Sequence, residues 1–429
     1  MRLHLNKIIF ALLLLMTTST LAFGQTSAAP ADASLSPAAQ SIAEAQKNIA
    51  EKPTQYSGYN LLALALIRRA RETSDASCYS QADDAVKKSL ELSPNNFDTQ
   101  RIQVSILLGE HEYPAALEAA KRLNRRVPDD VMIYGLLTDA NVELGNYSDA
   151  EKSAQWMLNL RPGNLPALTR AARLRELFGD AEGAYELMEL AYQSTPPTDA
   201  EERAWILTQM GRVRFASGNV DAADKLLQQA LIMFPGYPSA TGILGQVRIT
   251  QKRYQDAVIL LELRNHSTRG TSASLFELGE ALQLAGRNGE AIQAFVEFET
   301  KARLESVKKD NSNRELIFYY ADHAQQPAKA LQVAEQEYAW RHDVYTLDAY
   351  AWALHVNGRD IEARKHIEAA LAVGVRDARL FRHAGVIALK SGDRAAAERY
   401  LKQAAELNSE DSEQAQNILE GLTSKTSHR

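Results

Sequence analysis

Between Val131 and Asn164 the chain twice sets apolar residues at helical spacing and twice breaks off. Tyr134, Leu137 and Val142 share one face of the first stretch, which ends at Gly145-Asn146. Ala150, Ala154, Met157 and Leu158 share one face of the second, which ends at Pro162. Spacing of i, i+3, i+4 and i+7 predicts amphipathic helices. The Gly-Asn pair supplies turn chemistry, and proline stops the second helix because it lacks an N–H and clashes with the preceding turn. The 34-residue stretch therefore reads as a helix hairpin.

The hairpin recurs. Its small close-packing residue returns at Ala82, Ala116, Ala150, Ala184, Ala223, Ala257, Ala291, Ala330, Ala363 and Ala397, in steps of 34, 34, 34, 39, 34, 34, 39, 33 and 34 residues. Pro94, Pro128, Pro162 and Pro196 keep the same step, and turn glycines fall at Gly145, Gly179, Gly218, Gly286, Gly358 and Gly392. A helix–turn–helix pattern with this period resembles the tetratricopeptide repeat family, over ten repeats from about Tyr56 to Ser409. The resemblance, taken to be to the bacterial secreted or periplasmic type, implies an all-α fold: a right-handed superhelical α-solenoid of about ten helix hairpins. Each hairpin is expected to bury its apolar face only against its neighbours.

Arg2 and Lys7, the apolar run Ile8–Met16 and the small-residue tail before Gln25 have the order of a cleavable signal peptide, residues 1–24. The run is too short to span a bilayer. A flexible lead (25–35), an N-terminal capping helix (36–55), repeats one to six (56–264), a polar loop or hinge (265–274), repeats seven to ten (275–409) and a C-terminal cap and tail (410–429) follow. The first repeat is interrupted by Ala70–Cys78, read as a longer helix or loop at that edge, or as a loop that grips a partner. Thr195–Glu202, TPPTDAEE, adds five residues and predicts a turn, a Thr or Asp cap and a lengthened helix. The eighth repeat lacks a turn glycine and has Gln325-Gln326-Pro327 in its place.

Composition is ordinary, with 45% hydrophobic and 24% charged residues and a net charge of −6. Loss of Met1–Gly24 removes two positive charges and no negative ones, leaving −8. An acidic chain argues against nucleic acid as partner, which wants a basic stripe, and gains nothing at an anionic membrane surface. Cys78, the single cysteine, is placed in a loop; it has no internal disulfide partner, though a bond to another chain stays open. The nine histidines form no HExxH pair or zinc-ligand spacing, and no phosphate loop, dinucleotide fingerprint or G-x-S-x-G elbow occurs. No catalytic residue, metal site or cofactor is expected.

The resemblance implies that the first helix of each hairpin lines a concave face that binds an extended peptide or a partner helix. On the repeat register that face holds Arg101, Asp139, Arg173, Arg212, Phe215, Gln246, Glu280, Tyr319, Trp352, His355 and Arg382. They suggest a basic central strip (Arg173, Arg212) beside an acidic and aromatic one (Glu280, Tyr319, Trp352). The family's two-carboxylate clamp uses Lys and Asn; here its positions carry Arg101 with Ser105, Gly135 with Asp139, and Thr169 with Arg173, so that mode is not supported. Trp156, Trp205 and Trp340 are expected to pack between helices. The reading that follows is a non-catalytic periplasmic or secreted scaffold for envelope or secreted proteins, with no membrane segment after signal cleavage and an oligomeric state left open. The alternative is a soluble ligand- or glycan-binding module using Tyr319 and Trp352.

Overall fold

The computed structural model describes residues 36–306, 313–407 and 409–424. The signal peptide and lead expected over 1–35, and the last residues of the tail, lie outside them. From Pro37 onward the chain forms one compact unit, helical throughout its described elements. Helix α1 (Pro37–Glu51) packs on the first hairpin, α2 (Tyr56–Thr73) with α3 (Ser77–Leu92). Hairpins two to five are α4 (Phe97–Gly109) with α5 (Tyr113–Arg126), α6 (Val131–Leu144) with α7 (Tyr147–Leu160), α8 (Leu165–Leu177) with α9 (Ala181–Ser194), and α10 (Ala200–Ala216) with α11 (Val220–Met233). Then come α12 (Pro238–Thr250) with α13 (Tyr254–Ser267), and α14 (Ser272–Leu284) with α15 (Asn288–Glu305). In the eighth, α16 (Arg314–Phe318) continues as a π-helical turn, Tyr319–His323, before α17 (Pro327–Tyr338). The last are α18 (Val344–Val356) with α19 (Asp360–Leu371), and α20 (Ala378–Lys390) with α21 (Arg394–Ala405); α22 (Glu410–Ser424) covers the end.

The repeat logic is physical. The ten spaced alanines are all buried, none more than 3% exposed, because each sits where two helices of a hairpin touch. Every hairpin turn holds one residue in the left-handed backbone region: Ser74, His111, Gly145, Gly179, Gly218, Lys252, Gly286, Gln325, Gly358 and Gly392. Gln325 thus does the work of the missing glycine. Side chains of Asp130, Asn164, Asp180, Asp199, Asn219, Asp343, Asp377 and Asp393 cap helices by accepting backbone N–H bonds that the first turn leaves over.

Several expectations need correction. Cys78 is not in a loop; α2 and α3 absorb most of the Ala70–Cys78 stretch, and Cys78 is buried in the first turn of α3. Burial, helped by Asp75, pushes its thiol pKa up, away from reactivity. Trp156 and Trp340 are exposed, 52% and 44%, rather than packed between helices; Trp156 stacks outward on Tyr134. The stretch 265–274 is helical at both ends, and its connection is only Thr268–Thr271.

The hairpins also do more than touch their neighbours. The turn of one hairpin meets the connection that follows the hairpin five places on. At the third turn, Val344 N–H donates to Tyr147 Oη (2.8 Å), and Arg341 donates to the Glu143 carboxylate (2.9 Å) and carbonyl (3.1 Å). Gly179 abuts Gly374, and Gly218 abuts Glu406 and Leu407. Arg269 reaches Asp75 at 3.3 Å, and Lys252 reaches Glu413 at 3.0 Å. Successive superhelical turns therefore rest on each other. One buried apolar cluster crosses the seam, joining Val142, Leu174 and Leu177 to Val344 and Val375.

Candidate functional site

On the inner face of the first superhelical turn, α2, α6, α8, α9 and α10 enclose a cavity of about 550 Å³. Leu165, Pro166, Met188 and Trp205 make its apolar wall, and Asp139, Arg170, Arg173 and Arg212 its polar one. Arg71 closes one side together with Pro196, Asp199 and Glu202. Three of the residues read from the repeat register, Asp139, Arg173 and Arg212, thus meet in one place.

The cavity is not the basic strip expected. Its four arginines face four carboxylates (Asp139, Glu143, Asp199 and Glu202), and each guanidinium is paired. Arg170 grips both oxygens of Asp139, Nε to Oδ1 at 2.8 Å and Nη2 to Oδ2 at 2.5 Å, and also donates to the carbonyls of Gly135 and Pro166. One corner shares its partners. Arg212 holds both oxygens of Glu176, and Arg173 Nη1 reaches the same carboxylate at 3.0 Å. Burial pushes the Glu176 carboxyl up, but the two guanidiniums outweigh it and hold its pKa at about 2. Arg173 is also attracted by Glu143, so that corner brings two guanidiniums and two carboxylates together. Glu143 is the opposite case: burial dominates over Arg341 and its carboxyl pKa is raised.

Phe215, Gln246 and Glu280 line a second cavity, of about 320 Å³, together with Glu277, Glu315 and Glu410. Burial, reinforced by Glu315 and Glu280, pushes the Glu277 carboxyl up despite Arg264. The remaining expected groove residues do not join either surface. Arg101 is tied to Asp130 (2.6 Å) and Asp98 (3.0 Å), and His355 Nδ1 to Asp360 (2.6 Å). Arg382 donates to Asp411 at 2.7 Å, which fastens α22 to α20.

Tyr319 and Trp352 form no shared platform. Tyr319 is 8% and Trp352 7% exposed. Tyr319 packs among Phe295, Phe298 and His323, whereas Trp352 stacks on His383 at 4.1 Å and donates Nε1–H to Asp322 at 2.9 Å. The aromatic residues of the glycan reading are core. Their bulk suits a helix pair that must fill space around a π-helical turn.

The register missed Arg68, Arg71, Arg170, Glu176 and Trp205. The turn residue Ser74 lies 37 residues before His111, so three extra residues of repeat one follow its turn. Counted from the turn, Arg68 occupies the position of Asp139, Arg173 and Arg212, and Arg71 that of Glu176 and Phe215. Ending the first helix at the turn residue Ser74, rather than opening the interruption at Ala70, is the signal that finds Arg68 and Arg71.

No described helix is long and apolar enough to cross a membrane. Among the described residues no three or more His, Cys, Asp or Glu side chains are grouped to hold a metal ion.

The tetratricopeptide repeat family profiles match residues 208–269 and 379–411. A TPR repeat-containing protein of Methanocaldococcus jannaschii is 26% identical over 127 residues, 29% of this chain and 22% of that protein, so the match spans about a fifth of the relative's length. Among solved structures, the Cut9–Hcn1 hetero-tetramer of APC/C is similar over 80% of this chain and 55% of that one, at 16% identity and a TM-score of 0.46. Human IFIT1, solved as a dimer with PPP-AAAA, is similar over 85% and 94%, at 12% identity and 0.48. Yeast Tom70 is similar over 85% and 96%, at 14% identity and 0.36.

Proposed function

We propose that this chain, a tetratricopeptide repeat protein, is a non-catalytic scaffold of the cell envelope that holds segments of partner proteins against the inner face of its first superhelical turn. Repeats of this family generally build interaction surfaces, and the observation that favours this one is the Arg173–Glu176–Arg212 corner. Two guanidiniums beside an apolar wall of Leu165, Met188 and Trp205 suit a segment that alternates acidic and apolar side chains and can compete for them. Arg and Trp also supply much of the binding energy at protein interfaces. The order of charged, apolar and small residues before Gln25 supports export and a periplasmic or secreted location.

Affinity capture from an envelope fraction tests the reading. The bait is the exported protein, run beside Arg173→Gln/Glu176→Gln/Arg212→Gln, which removes the charges together and leaves no orphaned carboxylate. A specific envelope protein retained by the first and lost by the second is the expected result. Identical protein profiles from both baits would sink the proposal. Export is checked separately: the protein recovered from the envelope should begin at Gln25 on N-terminal sequencing.

A further inference from the structure

The five residues added before α10 do not hang outside the solenoid. They extend α10 by a turn, capped by Asp199, and lay it across the groove positions of the first repeat. Arg68 Nη2 donates to Asp199 at 2.6 Å, and its Nε lies 3.3 Å from Glu201. Arg71 Nη2 reaches Glu201 at 2.6 Å and Glu202 at 2.7 Å, with its guanidinium 5.9 Å from the centre of the Trp205 ring. These pairs join residues about 130 apart in sequence, and Arg71, Asp199 and Glu202 line the same cavity as Arg173 and Arg212.

The contact is held closed at a cost. Glu201 is fully buried, and its Oε1 takes no hydrogen bond. Both arginines bind it through the other oxygen. A buried carboxylate satisfied on one side only is expensive. Its desolvation, against the pull of Arg71, pushes the carboxyl pKa up.

Resting on the scaffold reading above, we infer that residues 195–202 are an internal occupant of the groove, which a partner's acidic segment displaces from Arg68 and Arg71 when it binds. Three carboxylates from within the chain already sit on groove arginines, so the structure itself displays the chemistry that this end of the groove accepts. Opening would relieve the half-satisfied Glu201 and free Arg68 and Arg71 for the partner. A partner must outcompete a tethered rival, which lowers its apparent affinity by the fraction of molecules that are open.

The test is competition in trans. A fluorescein-labelled peptide copying residues 195–203 is titrated by anisotropy against the full chain, Asp199→Asn/Glu202→Gln, and Arg68→Ala/Arg71→Ala. The wild type should bind it; weakening the internal rival should tighten binding roughly tenfold, the factor by which the open fraction rises; loss of both arginines should abolish it. Equal affinity for the first two proteins, binding that survives loss of the arginines, or no binding at all would overturn the inference. Should the arginine variant misfold, amide exchange on the unmodified chain decides: peptide should protect residues 66–73 and deprotect 198–205, and no change at either overturns the idea. Failure here leaves the scaffold reading standing, because envelope capture is judged at Arg173, Glu176 and Arg212.

Discussion

At the scale of the residue, similar-looking positions carry different loads. Gly145 and Gly286 both turn a hairpin with φ near +78°, at +79° and +77°. A Cβ at 286 would meet nothing within 4 Å, whereas one at 145 would lie 2.5 Å from the His342 carbonyl oxygen on the next superhelical turn. Gly286→Ala should therefore cost only the left-handed strain, about 1–2 kcal/mol. Gly145→Ala should cost clearly more, about 3 kcal/mol or above, because backbone must move as well. Urea denaturation of the two variants checks the difference; equal costs would mean that the seam is not held as described. Glu176 gives a second test. Its folded carboxyl pKa lies below its ordinary 4.5, so its contribution is complete above that pH and is lost as pH falls toward about 2. Glu176→Gln should destabilise the protein at pH 7 by about 3–5 kcal/mol, since two half-buried guanidiniums lose their partner. It should also flatten the decline in stability between pH 4.5 and 2, measured by denaturant titration at each pH. Such partners are hard to read from the chain: Arg173 stood out by repeat position, while Glu176 looked like an ordinary helix carboxylate until Arg212 was brought across to it.

At the scale of the element, helix existence was legible and helix contacts were not. The apolar period placed the hairpins, and TPPTDAEE foretold the lengthened α10 with its Asp cap. Nothing local indicated that this extra turn would lie on repeat one, because the contact spans some 130 residues and depends on how the intervening hairpins rotate. The C-terminal cap is similar. Its helix, α22, was expected from a weak apolar pattern, yet it is Arg379 (3.3 Å) and Arg382 (2.7 Å) on Asp411 that pin it to α20. Burial opposes ionisation of Asp411, but the two arginines prevail and hold it at about 2. Asp411→Asn should speed amide exchange along α22 by at least about tenfold while leaving α12 to α14 unchanged. Uniform exchange in both proteins would show that apolar packing alone holds the cap.

At the scale of the whole molecule, the seam changes what kind of solenoid this is. A strictly nearest-neighbour array would confine the effect of a mutation to adjacent repeats. Here Arg341, between repeats eight and nine, holds Glu143 in repeat three, 198 residues away. Arg341→Ala should deprotect the backbone of residues 143–147 in hydrogen exchange as well as its own connection; an effect limited to repeats eight and nine would contradict coupling across the seam. The repeat count, the all-helical class, the hairpin turns and most of the buried stripe were determined by the sequence alone, because helical period, turn chemistry and small-residue spacing act over a few residues and announce themselves locally. Which groove positions lie open was decided only by tertiary structure. Tyr319 and Trp352 shared a register with Arg173 and Arg212, yet two became core and two line a cavity. Small rotations accumulate from one hairpin to the next, and where they bring the chain back onto itself no short stretch of sequence can record.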